Sequence, residues 1–122
     1  LDFAVSLGGK PVIDVDVYLE LSDLFRFRYD PALLSLIAER PSRFRDLVTR
    51  LEGQVEGHVD DNAVGRSLKR LTNDSLVRKA KMRDGNKLVP VYSITDEGRL
   101  SVSVYHAVID AYRRIQRSGD AA

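Results

Sequence analysis

Asp84-Gly85-Asn86 separates two extended runs, Val77 to Arg83 and Leu88 to Ile94. Asp-Gly between extended runs is a strong hairpin signal, because glycine takes the positive φ that a tight turn requires. The hairpin does not stand alone. Directly before it lies a stretch of about Asp60 to Asp74 in which Ala63, Val64, Leu68 and Leu71 recur at helical spacing, leaving Asn62, Arg66, Lys69 and Arg70 on the other side. Asp60 or Asp61 serves as its N-cap, and Leu76 closes the core behind it.

Two further helices are predicted upstream. Asp30 is a candidate N-cap with Pro31 at the first helical position, and Leu33, Leu34, Ile37 and Ala38 form a short buried stripe that Pro41 stops. Ser42 is placed to cap the next helix, whose apolar positions are Phe44, Leu47, Val48 and Leu51, with Arg43, Arg45, Asp46 and Arg50 outside. Gly53 and Gly57 bracket the connection to the third helix. Three short helices followed by a two-stranded hairpin is the order of a winged helix, an α+β fold. Thr95 then caps a long last helix carrying Leu100, Val104, Val108, Tyr112 and Ile115 along one stripe, widened by Val102, Tyr105 and Ile109. That stripe exceeds what a small domain needs for its own core, so Leu100, Val104, Tyr105, Val108, Tyr112 and Ile115 are expected to form a dimer interface, the alternative being intramolecular packing on the N-terminal segment.

The N-terminal thirty residues admit two readings. Ile13, Val15, Val17, Leu19 and Leu21 alternate with Asp14, Asp16, Tyr18 and Glu20, and Phe25, Phe27 and Tyr29 alternate with Arg26 and Arg28, which favours a β-hairpin turning at Ser22 to Leu24. The competing reading is a helix from about Val17, since Val17, Leu21, Leu24 and Phe25 also share helical spacing. On this basis residues 1–30 form an extension, 31–94 the winged helix-turn-helix region, and 95–122 the last helix and tail, in one compact domain.

The net charge of +1 conceals an uneven distribution. Residues 66–87 carry eight basic side chains, Arg66, Lys69, Arg70, Arg78, Lys79, Lys81, Arg83 and Lys87, against two acidic ones, whereas residues 1–39 carry three against seven. A local basic block over one helix and one hairpin is the electrostatic footprint expected of a nucleic-acid surface. The chain has no cysteine, which excludes disulfides, thiol nucleophiles and Cys-ligated zinc. No apolar run approaches the length of a membrane span, and no signal-peptide pattern is present, which fits a cytoplasmic protein with no membrane partner.

With these elements in place a family resemblance emerges. The run VDDNAVGRSLKRLTNDSLVRK, Val59 to Lys79, resembles without gaps the recognition-helix segment of HxlR-type winged-helix regulators, within the wider MarR and PadR-like group. RPSRFRDLVTRLEG, Arg40 to Gly53, resembles the family's entry into its second helix, and YSITDEGR, Tyr92 to Arg99, the end of its wing and the start of its last helix. The resemblance spans about residues 31 to 112. It implies a homodimeric transcriptional regulator that binds double-stranded DNA in a sequence-specific way. Three features depart from it: Ser75 stands where a glycine usually ends the recognition helix, Gln54 to His58 looks inserted, and Asp60 and Asp61 bring negative charge to the helix start. Cysteine-based redox sensing, known in the family, is excluded here.

Groove chemistry then assigns roles. Asn62 and Arg66 are the base-reading candidates, since asparagine and arginine make paired hydrogen bonds to adenine and guanine. Arg43, Arg45, Lys69, Arg70, Lys81, Arg83, Asn86 and Lys87 are candidates for the DNA backbone. Asp14, Asp16 and Glu20 read as a solvated strand face answering Arg26 and Arg28; His58 and His106 lack any metal-ligand spacing; Ser6 to Lys10 lacks the full phosphate-loop spacing. No nucleophile with its base is present, so no catalytic residue, metal or cofactor is expected; a small-molecule effector stays open as a partner, with no residue naming it. A winged helix reused for protein interaction is the alternative function.

Overall fold

The computed structural model describes residues 12–121. Among these residues five helices and a two-stranded sheet follow in the order α1 (Val15–Leu24), α2 (Asp30–Glu39), α3 (Phe44–Glu52), α4 (Asp61–Asn73), β1 (Val77–Asp84), β2 (Lys87–Ile94) and α5 (Asp96–Ala121). The Ser6 to Lys10 loop lies outside the described residues.

The expected N-terminal hairpin is a helix. Asp14 caps α1, its carboxylate accepting from the Val17 N–H at 3.2 Å. An isolated two-stranded hairpin is marginal in water, and the only sheet among the described residues is the wing, so this segment has no third strand to lean on. A helix satisfies its backbone groups within itself. Asp14, Asp16 and Glu20 accordingly do not form a strand face opposite Arg26 and Arg28. No residue of α1 is fully buried, but Leu24 at its end packs on the core and Phe25 meets Tyr105 edge-on at 5.3 Å.

The core is built largely where periodicity predicts it, except that Leu36 joins it and Ala38, Phe44 and Ala63 are only partly buried. Leu33, Leu34, Leu36 and Ile37 of α2, Leu47, Val48 and Leu51 of α3, and Val64, Leu68 and Leu71 of α4 are buried together with Val59, Val77, Tyr92 and Tyr105. Val59 lies in the connection before α4 and is fully buried, so that stretch is pinned just before the helix begins.

Three local assignments change. Asp30 is not a cap but the first residue of α2, Tyr29 preceding it, and its carboxylate turns to Arg70 instead. Ser42 does not cap α3; Arg43 occupies that position without a side-chain cap. Ser42 pairs with Tyr92 of β2 through two backbone hydrogen bonds of 2.9 and 2.8 Å, a one-residue extension of the sheet that anchors the wing's root. Arg50, expected outside, is largely covered: it donates to Leu36 O at 3.1 Å, to Glu39 at 2.8 Å and to Ser42 Oγ at 2.9 Å. Its guanidinium supplies a donor to an otherwise open carbonyl near the C-terminal end of α2.

The exit from α4 positions everything downstream. Leu76 N–H bonds to Leu71 O at 2.9 Å and Ser75 N–H to Thr72 O at 3.1 Å, the paired bonds of a left-handed helix ending. Ser75 itself takes φ +63°, so the turn that usually asks for glycine is made by serine. Thr95 locks this turn to α5: its hydroxyl donates to Ser75 O at 2.7 Å and accepts from Gly98 N–H at 3.0 Å. Gly98 is held close beneath, where a Cβ would overlap Leu76 O and the Ile94 side chain.

Candidate nucleic-acid interface

Asp60 caps α4 by accepting from the Asn62 N–H at 3.1 Å. The buried residues Val64, Ser67, Leu68 and Leu71 fix the helix's inner side, and Asn62, Arg66 and Lys69 are exposed opposite them. A helix presented in this way fits the width of a major groove.

The wing rises beside this helix. Its strands pair antiparallel from Val77 opposite Ile94 to Asp84 opposite Lys87, so the turn holds two residues, with Gly85 at φ +64°. Apart from Val77 at its root, β1 is exposed along its whole length. Strand alternation puts Lys79, Lys81 and Arg83 on the same side as buried Val77. Lys79 lines a cleft of about 390 Å³ between α4 and the wing, together with Gly65, Leu68, Lys69, Thr72, Asn73 and Tyr92, and its ammonium lies 5.8 Å from the Tyr92 ring centre. Lys79 was not among the candidate contacts drawn from the sequence. The alternation that buries Val77 was the signal that could have found it.

Among the described residues, Arg66, Lys69, Lys79, Lys81, Arg83 and Lys87 make no ion pair. Arg43 and Arg45 differ. Arg43 contacts Asp84 at 2.8 Å and Arg45 contacts Asp61 at 2.7 Å, all four side chains remaining substantially exposed. The hydrogen bond from Arg45 holds the Asp61 carboxyl below the usual carboxylate range, and the same bond raises Arg45.

Arg70 is displaced from the set of backbone contacts. Its guanidinium donates to Asp30 at 3.0 Å and to Ser67 Oγ at 3.0 Å, and lies 3.6 Å from the Phe27 ring centre. Asp30 is 8% exposed, so the pair ties α4 to the start of α2 and keeps the Arg70 guanidinium engaged within the chain. Tyr105 is likewise displaced from the dimer set: it is 4% exposed and lies in the intramolecular core. Burial, with the nearby Asp30 charge second, pushes its hydroxyl up to about 12. The other interface candidates remain on the surface, Leu100, Tyr112 and Ile115 at 61–69% exposure, Val108 less so, and Val104 half-buried. Val15, Val17, Tyr18 and Leu19 of α1 are also at least half exposed. A cleft of about 400 Å³ lined by Tyr18, Leu21, Ser22, Phe25, Arg26 and Val108 joins the apolar sides of α1 and α5.

No helix among the described residues is long and apolar enough to cross a membrane, and none of them form a group of three or more His, Asp or Glu placed to hold a metal ion.

A helical core, a reading-type helix and a two-stranded wing at its end define a winged-helix protein of the α+β class. No protein-family model matches the chain, and no curated protein matches it in sequence. Among solved structures, a MarR-family regulator from Enterococcus faecalis is similar with a TM-score of 0.73 and 10% identity, over 93% of this chain and 98% of that one. A PadR-family regulator from Clostridium difficile matches with a TM-score of 0.67 and 13% identity, over 74% and 96%. A PadR-like regulator from Bacillus cereus gives 0.67 and 16%, over 73% and 87%. At such identities the likeness establishes the winged-helix fold, and it does not single out the HxlR type.

Proposed function

We propose that the chain is a homodimeric transcriptional regulator of the HxlR type, acting in the cytoplasm on specific double-stranded DNA sites. The observation that carries the reading is a set of exposed cations that make no ion pair among the described residues: Arg66 and Lys69 on the outer side of α4, Lys79, Lys81 and Arg83 on one face of the wing, with Lys79 sharing a cleft with Lys69, and Lys87 beside the wing's turn. Asn62 and Arg66 read base edges in the major groove; Lys69, Lys79, Lys81, Arg83, Asn86 and Lys87 grip phosphates, with Arg43 and Arg45 at the rim. Residues 31–94 form the DNA-binding region. Residues 95–122 supply the dimer helix through Leu100, Val104, Val108, Tyr112 and Ile115, with the exposed apolar residues of α1 completing that surface. The similar solved structures, described as transcription regulators, support the reading.

The test is binding to random duplex DNA across a salt series, with Arg66→Ala and Lys87→Ala. Each phosphate contact contributes about 0.9 to the slope of log affinity against log salt, so Lys87→Ala should flatten the slope by about that amount. Selection from a random duplex library should then return a palindrome, and Arg66→Ala should relax one position in each half. Absence of binding even at low salt overturns the reading in favour of a protein-interaction winged helix.

A further inference from the structure

Two of the arginines best placed to meet DNA backbone are already occupied. Arg43 and Arg45 flank the first residue of α3, and each holds a carboxylate from one of the two elements that would enter the DNA. Asp61 is the first residue of α4 and Asp84 the last of β1, next to the wing's turn. Neither pair serves the core, since every one of the four side chains is roughly half exposed or more. Neither acid is needed as a cap, because Asp60 performs that role for α4. What the two acids do share is placement at the leading edges of the reading helix and the wing, where phosphates pass closest.

We propose that Asp61 and Asp84 are specificity-determining residues that hold Arg43 and Arg45 back from phosphates; the inference rests on the DNA-binding reading above. A guanidinium fork binds carboxylate and phosphate through the same donors. DNA therefore has to displace an internal carboxylate for each of these arginines, and both acids repel the approaching backbone. On random DNA, where attraction to phosphate is all there is, little drives that exchange. On a fitting site, base contacts from α4 seat the helix deeply enough to drive it. The acids thus lower random binding more than site binding, and selectivity arises from suppression of the wrong complex.

The test compares the full chain with Asp61→Asn/Asp84→Asn, which preserves shape and leaves the Asp60 cap intact. Asp16→Asn/Asp110→Asn changes net charge equally on α1 and α5. Fluorescence anisotropy on a random duplex across a salt series should show the first variant binding about five- to tenfold more tightly, with the slope steeper by about 1 to 2, as expected for one or two additional phosphate contacts. The control should stay within about twofold of wild type. Adding Arg43→Ala and Arg45→Ala to the first variant should remove the gain. Unchanged or weaker binding by Asp61→Asn/Asp84→Asn overturns the proposal, and weaker binding would mean that the carboxylates orient the arginines toward phosphate. Equal tightening by the control, or a gain that survives loss of the arginines, overturns it as well. If wild type and all variants fail to bind at low salt, the DNA-binding reading itself falls and the proposal with it, a result distinct from the others.

Discussion

Arg70 and Lys69 are neighbours in sequence with opposite allegiances. Lys69 is exposed beside the wing cleft; Arg70 is committed to Asp30, forty residues earlier, and to the Phe27 ring. Arg70→Ala should therefore cost about 1 to 2 kcal/mol of stability, since it strands a mostly buried carboxylate at a partly screened site. The salt slope of DNA binding should remain as in wild type. Lys69→Ala should do the reverse, and urea titrations paired with salt series separate the two. Tyr105 makes a prediction of its own. Folding raises its pKa from an ordinary 10 toward about 12, so the folded chain holds its proton more tightly than the unfolded one. The associated stability is fully present below pH 10 and is lost as pH rises through the folded value, with a limiting slope of about 1.4 kcal/mol per pH unit. Tyr105→Phe should remove that share of the alkaline loss, read as the difference between the two proteins' denaturation curves from pH 9 to 12.

Elements differ in how openly the sequence announces them. The helix at Asp61–Asn73 and the hairpin after it were legible because Val64, Leu68 and Leu71 pack on the chain's own core and Gly85 makes the turn. The helix at Val15–Leu24 was not. Among the described residues only Leu21 and Leu24 of its apolar positions are partly buried, too few to impose one period, so strand-like alternation and helical spacing coexist in the same letters. Arg43–Asp84 and Arg70–Asp30 were invisible for another reason: side chains distant in sequence meet only after the fold has formed. Ser75 shows a local rule overridden. The helix keeps its left-handed ending without glycine because Thr95 and the Leu76–Leu71 bond hold the turn. Ser75→Gly should relieve the strain and raise stability by about 1 kcal/mol, less any entropy the glycine restores to the unfolded chain. A shift of the denaturation midpoint to higher urea at constant slope would record it; no gain would mean that the serine is already relaxed.

For the whole molecule, the prominent unmatched feature is apolar surface shared by α1 and α5. Tyr112→Asp/Ile115→Asp should leave the helix content of the chain unchanged while converting the proposed dimer to monomer, measured by sedimentation. Affinity for a palindromic fragment should fall by at least tenfold, because each half-site then binds alone. Retention of the dimer would place the seam elsewhere, with α1 the next surface to probe.

The joint at Thr95 gives that arrangement a mechanical meaning. One hydroxyl clasps both the end of the reading helix and the start of α5, and α5 runs for 26 residues, about 39 Å at the usual helical rise. In the proposed dimer each reading head would hang from its own long helix through this short joint. If the proposed dimer forms through α5, the angle at which the two helices meet would act as a ruler for the number of base pairs between half-sites, while the letters within each half would fall to the proposed readers Asn62 and Arg66. Repacking the seam should therefore change the preferred spacing of an operator and leave its half-site sequence as it was.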